Sequence, residues 1–245
     1  MKEKKNKILI INIILIIIII ILLIIYNINI KQLNSKINNY KRREENYKKT
    51  ELNRLNYNEK LEKNENIVLF GDSITEIYPV DEIFSSYQII KSGTSGYTTD
   101  DLLNKIEEML YKYNPTKVML LIGTNDIAND ISLEKQKDTV NNIKKICTEI
   151  RKNRPNTKIY IESIYPVNRN MKKDMVAERT NEVIQNMNNN IKDYCEREKL
   201  TYINMYDELT DKNGNFDENY TYDGLHPSTL GYAKISRVLT QYIYE

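Results

Sequence analysis

From residue 67 onward the sequence predicts an α/β fold: a parallel sheet with helices packed on both of its faces. Three observations carry that expectation. Short apolar runs recur at 67–70, 88–90, 117–122, 158–162 and 201–204, and their near-continuous hydrophobicity suits strands buried on both sides. Amphipathic stretches separate the runs, with Val140, Ile143, Ile146, Cys147 and Ile150 on one helical face and Ile184, Met187, Ile191 and Tyr194 on another. Strand and helix therefore alternate, which is the pattern of parallel strands joined by crossover helices. A last helix, over 229–244, carries Leu230, Ala233, Val238 and Tyr242.

In chain order, residues 1–7 form a basic head that holds Lys2, Lys4, Lys5 and Lys7. Residues 8–26 are apolar except for Asn12, and a helix of that length spans about 28 Å, close to the hydrocarbon thickness of a bilayer. The stretch exceeds a usual secretory h-region and lacks small residues for cleavage, since no Ala precedes Ala128 and no Gly precedes Gly71. The expectation is an uncleaved, single-pass transmembrane anchor with the head in the cytoplasm and the following domain outside. Residues 27–64 are rich in Asn, Lys and Glu. Leu33, Ile37, Tyr40 and Tyr47 fall at helical spacing there, but Glu44 and Glu51 interrupt the seam. They read as a solvated, partly helical stalk, and the folded domain as 65–245.

Charge is unevenly spread. Residues 1–7 carry +3 and 27–66 carry +4, so a total of +2 leaves −5 for residues 67–245. A nucleic-acid partner calls for a basic patch on the folded domain, and this distribution speaks against one. With one histidine and two distant cysteines, a zinc site of the usual kind is not expected; Cys147 and Cys195 read as small buried hydrophobes.

Ligands bind beyond the carboxyl ends of parallel strands, so the segments after each run are where chemistry belongs. After the first comes Gly71-Asp72-Ser73-Ile74-Thr75-Glu76. Ser73 either points its hydroxyl into a cleft or caps a helix, because Ser followed three residues later by Glu76 is also a capping box. After the second comes Ser92-Gly93-Thr94-Ser95-Gly96, whose backbone N–H groups can stabilise an oxyanion. A phosphate loop is the rival reading, but no Lys follows Gly96 at the required spacing. After the third comes Gly123-Thr124-Asn125-Asp126, in which Asn125 is a further amide donor or a turn residue. Near the C-terminus, Asp223-Gly224-Leu225-His226-Pro227 places the only histidine three residues after a carboxylate. A serine nucleophile needs a base within reach of Oγ, and the base needs an acid that fixes its tautomer; this loop offers both.

Together these four ordered segments resemble the blocks of the SGNH, or GDSL-type, hydrolases. Ile74 stands where Leu is commoner, and Lys91 where many members have Asn. The resemblance covers about residues 65–245 and implies a flavodoxin-like three-layer α/β/α sandwich with a five-stranded parallel sheet. It implies Ser73 as nucleophile, His226 as base and Asp223 as its orienting acid. It also implies an oxyanion hole formed by Ser73, Gly96 and Asn125, with no cofactor or metal.

The function expected is a membrane-anchored serine esterase acting on a small-molecule or glycan ester. Short acyl groups are favoured, such as O-acetyl on cell-envelope glycans, since no long lid or apolar insertion occurs. An O-acyltransferase, a lysophospholipase or thioesterase, and a non-catalytic tethered binding module are the rivals. The anchor reading predicts that the full chain sediments with membranes after a carbonate wash, and that deletion of residues 1–26 moves it to the supernatant.

Overall fold

The computed structural model describes residues 66–84 and 89–245, together with scattered helical positions between 23 and 37. The head, nearly all of the expected anchor and most of the stalk lie outside the described residues. Among the described residues, no helix is long and apolar enough to cross a membrane.

Five strands, β1 (Ile67–Gly71), β2 (Ile89–Gly93), β3 (Lys117–Leu121), β4 (Lys158–Glu162) and β5 (Thr201–Ile203), form one parallel sheet in the order β2-β1-β3-β4-β5. Each expected strand is present, and the ends move for local reasons. β2 continues through Lys91, Ser92 and Gly93, because an edge strand with one neighbour tolerates an outward, exposed Lys91. Gln88, expected at its start, lies outside the described residues. β3 ends at Leu121, opposite the last residue of β1, so Ile122 has no ladder to join. β5 stops at Ile203 because the Asn204 side chain turns back to accept the Asp207 N–H and caps the helix Met205–Leu209.

Both faces of the sheet are buried, as the unbroken apolar runs require. Val68, Phe70, Val118, Leu120, Ile159 and Ile161 point into one core, against the helices Leu133–Asn153 and Asn181–Glu198. Ile67, Leu69, Met119, Leu121 and Tyr160 point into the other, against the helix Thr229–Ile243. The result is a three-layer α/β/α sandwich. In the last helix Ile235, Leu239 and Ile243 are the buried stripe, while Val238 and Tyr242 are half-buried beside it. Each long helix starts at a hydroxyl residue, Ser132, Thr180 or Ser228, whose oxygen accepts a first-turn N–H.

The strand order places the site. β1 is followed by a short helix, Ser73–Glu76, whose Ile74 joins the Leu69 side. β3 is followed by the helix Leu133–Asn153 on the Phe70 side. Adjacent strands thus send their chains to opposite faces, and the crevice between their carboxyl ends is where such sheets bind ligands. Close approach there demands glycine: a methyl group on Gly71 would collide with the Leu121 carbonyl oxygen and the Thr75 side chain. Phe70 is fully buried beneath this point. Phe70→Ala is expected to lower unfolding free energy by about 3–5 kcal/mol in urea titration, since the ring's contacts are lost and a cavity remains.

Candidate active site

Ser73 is the first residue of its helix and not the cap. Asp72 caps instead, its Oδ1 accepting the Ile74 N–H at 2.9 Å. Nor does Glu76 return to the cap: its carboxylate accepts the Ser95 N–H at 2.7 Å and also the Ser95 hydroxyl. The capping-box reading of this segment is therefore replaced, and Glu76 ties the serine turn to the loop that follows β2. The Ser73 hydroxyl is left for a different partner, and Oγ lies 3.0 Å from His226 Nε2.

The turn that carries His226 is built by its own side chains. Asp223 Oδ1 accepts the backbone N–H groups of Leu225 at 2.9 Å and His226 at 2.7 Å. Its other oxygen, Oδ2, lies 2.9 Å from His226 Nδ1. With a carboxylate on Nδ1, the ring proton is assigned there, so Nε2 accepts from Ser73. The Thr221 hydroxyl donates to the His226 carbonyl at 2.7 Å and accepts the Gly224 N–H at 2.9 Å. Gly224 has φ +91°, and any side chain there would strike the Asn168 carbonyl oxygen. Burial alone would push the Asp223 carboxyl up, but the His226 and Leu225 N–H groups and the imidazole outweigh it and hold it below the usual range. The exposed Tyr222 ring stacks on the imidazole, centroids 5.8 Å apart.

The loops after β2 and β3 are clasped together. Asn125 Nδ2 donates to the Tyr97 carbonyl at 3.0 Å, and Asp126 accepts the Thr99 N–H at 3.0 Å and the Thr99 hydroxyl at 2.5 Å. Arg179 completes the clasp: Nε donates to the Thr124 carbonyl at 2.7 Å and Nη2 to Asn125 Oδ1 at 3.0 Å. Gly96 is exposed with φ +80°. Among the described residues, no partner claims the N–H of Ser73 or that of Gly96. Lys91 points outward from the edge strand and takes no part in the loop.

Ser73, His226 and Asp223 are thus one connected set, while Gly96 and Asn125 stand on two loops fastened to each other. Sequence reasoning missed the partners of Glu76, Asp126 and Thr221, although all three lie within or beside the four segments. It also missed Arg179, which is separated from Asn125 by 54 positions and carries no periodicity to mark it. Asp72 is poorly matched by its surroundings. Burial pushes its carboxyl up to about 7, against the Ile74 N–H and the Arg179 charge, and its Oδ2 has no hydrogen-bond partner.

A hydroxyl, an imidazole and a carboxylate joined in that order beyond a parallel sheet are the parts of a hydrolase that works on acyl groups. Comparison with known proteins agrees. The chain belongs to the GDSL-like lipase/acylhydrolase family, whose pattern matches residues 69–234. The fold is similar to that of a candidate platelet activating factor from Streptococcus pneumonia, with 35% identity, 80% of this chain and 94% of that one covered, and a TM-score of 0.69. An acetylxylan esterase from Geobacillus stearothermophilus shares the fold at 18% identity, covering 75% of this chain and 96% of its own, with a TM-score of 0.57. In sequence, the chain is 28% identical over 179 residues to an N-acylneuraminate cytidylyltransferase of Escherichia coli O18:K1:H7. That match takes in 72% of this chain but spans only 40% of the relative's length.

The raised Asp72 carboxyl has a consequence for stability. Its value moves from 3.8 to about 7 on folding, so between those limits the folded state holds the extra proton. Stability is therefore expected to fall as pH rises from about 4 to about 7. Glu162, buried at the end of β4 and also raised to about 7 by burial, acts in the same window. Thermal melts should show a declining Tm across it, and Asp72→Asn should decline less steeply than wild type.

Proposed function

We propose that this protein hydrolyses carboxylic esters of short acyl groups through an acyl-enzyme on Ser73. One observation carries the reading: the unbroken path from Ser73 Oγ to His226 Nε2 at 3.0 Å and from His226 Nδ1 to Asp223 Oδ2 at 2.9 Å. Ser73 Oγ attacks the ester carbonyl as His226 takes its proton. The imidazolium then gives that proton to the departing alkoxide. Asp223, fixed by two backbone N–H groups, keeps the ring in the productive tautomer and stabilises its transient charge. The oxyanion is received by the Ser73 and Gly96 N–H groups and by Asn125 Nδ2. Water, activated by the same imidazole, releases the acid and frees Ser73.

The segment between Ser73 and β2 is brief, and its described residues carry two four-residue helices, Ser73–Glu76 and Val80–Ile83. A site without a long cover favours acetyl over long lipid chains. The exposed Tyr222, stacked on His226, offers a flat face for the alcohol side of the ester. With residues 8–26 as anchor and 27–64 as stalk, the domain stands outside the membrane, where O-acetylated envelope glycans are within reach.

Hydrolysis of p-nitrophenyl acetate by the full-length protein tests this. Ser73→Ala is expected to lower kcat by about 10⁴-fold or more, the scale seen when a triad serine is removed. Rates should fall from acetyl to octanoyl esters. Equal rates for wild type and Ser73→Ala would end the reading; a rise toward octanoyl would overturn the short-acyl part alone.

A further inference from the structure

The Asn125 amide serves an oxyanion in only one of its two orientations. Turned by half a rotation, a primary amide presents a carbonyl oxygen where it had presented N–H. That oxygen would repel the developing negative charge. The amide itself has no strong preference, so its neighbours decide. Tyr97 O, an acceptor only, takes an Nδ2 hydrogen at 3.0 Å, and Arg179 Nη2, a donor only, stands 3.0 Å from Oδ1. A flip would set donor against donor and acceptor against acceptor. In the observed orientation Nδ2 keeps its second hydrogen for another acceptor.

Arg179 is itself held firmly. It is 4% exposed, and Nη1 donates to the Val176 carbonyl at 3.0 Å and the Met175 carbonyl at 3.2 Å. Its other edge spans the Thr124 carbonyl and the Asn125 side chain, so one planar fork fixes the backbone before Asn125 and the amide beyond it. An ammonium is a point donor without that fork and cannot impose the same plane.

We infer that Arg179 is the positioning residue of the oxyanion site, holding Asn125 with its N–H₂ group toward the reacting carbonyl. The inference rests on the acyl-enzyme reading of Ser73. Arg179 touches neither substrate nor the reacting atoms; it acts through Asn125.

A double-mutant cycle on the full-length protein tests it, with kcat and KM for p-nitrophenyl acetate measured for wild type, Arg179→Lys, Asn125→Ala and the double variant. Arg179→Lys keeps a positive charge near Asp72 and removes the fork. Loss of one oxyanion donor costs about 10²–10³ in kcat, and Asn125→Ala should fall in that range. Arg179→Lys should lower kcat about 10-fold or more with KM within about twofold, and should change kcat by less than about twofold once Asn125 is already Ala. Equal fold losses in both backgrounds are what a merely structural arginine would give, and they would overturn the inference, as would an unchanged kcat in Arg179→Lys. If that variant does not fold in a thermal melt, Arg179→Met, which has no donor for Asn125, is taken through the same cycle with the same expected and overturning outcomes. Ser73→Ala separates the two proposals. A dead Ser73→Ala beside an additive cycle overturns the role of Arg179 alone, whereas an active Ser73→Ala overturns both.

Discussion

The hydrogen bond between Ser73 and His226 joins groups 153 positions apart, and the rest of the structure can be understood as the means of holding them in register. The serine turn leaves the end of a central strand, and the histidine turn leads directly into the C-terminal helix. That helix fastens the two. Its Tyr232 hydroxyl donates to the Ile74 carbonyl, the residue after Ser73, at 2.8 Å. Its ring stacks on Tyr78, centroids 4.8 Å apart, and the Tyr78 hydroxyl pairs with Ser236 on the next turn at 2.7 Å. The helix that completes one face of the sandwich is therefore also the clamp between the serine turn and the histidine turn. Packing and the geometry of the candidate site share the same side chains.

How much of this could be read from the sequence depends on how far apart the interacting groups lie. The central strands were legible because burial on both faces leaves a mark in consecutive residues: every residue of β1 and β3 is buried. Edge positions were less so, since Lys91 and Ser92 pair in β2 without looking like strand. The long helices were legible from a single apolar stripe. Ser73, Asp223, His226, Gly96 and Asn125 stood out because each follows a strand or sits in a turn of telling composition. The link from Glu76 to Ser95 and the fork of Arg179 left no such mark. A cation on a polar segment looks the same in sequence whether it faces water or reaches 54 residues back to an amide. Even the capping role open to Ser73 went to a neighbour: Asp72 caps the helix, and the Ser73 hydroxyl meets His226 instead.

Charge is concentrated under the crevice in a way no stability argument favours. Asp72 and Asp126 are buried directly beside Ser73 and Asn125 in the chain, the buried Arg179 reaches Asn125 from 54 positions away, and Asp72 leaves one oxygen without a partner. Burying such groups costs free energy unless each is matched. Their position suits the need for fixed dipoles around a reacting carbonyl, where an apolar core of equal volume would be firmer but inert. Perturbed carboxyls gather at functional sites for this reason.

The chain holds a single imidazole, and that ring lies between the Ser73 hydroxyl, the Asp223 carboxylate and the face of Tyr222. In a proton magnetic resonance spectrum its Hε1 and Hδ2 signals form the one imidazole pair of the sequence, and the stacked Tyr222 ring stands where its ring current acts on them. The molecule carries its own spectroscopic label at the centre of its crevice, already in place without isotopic or chemical tagging.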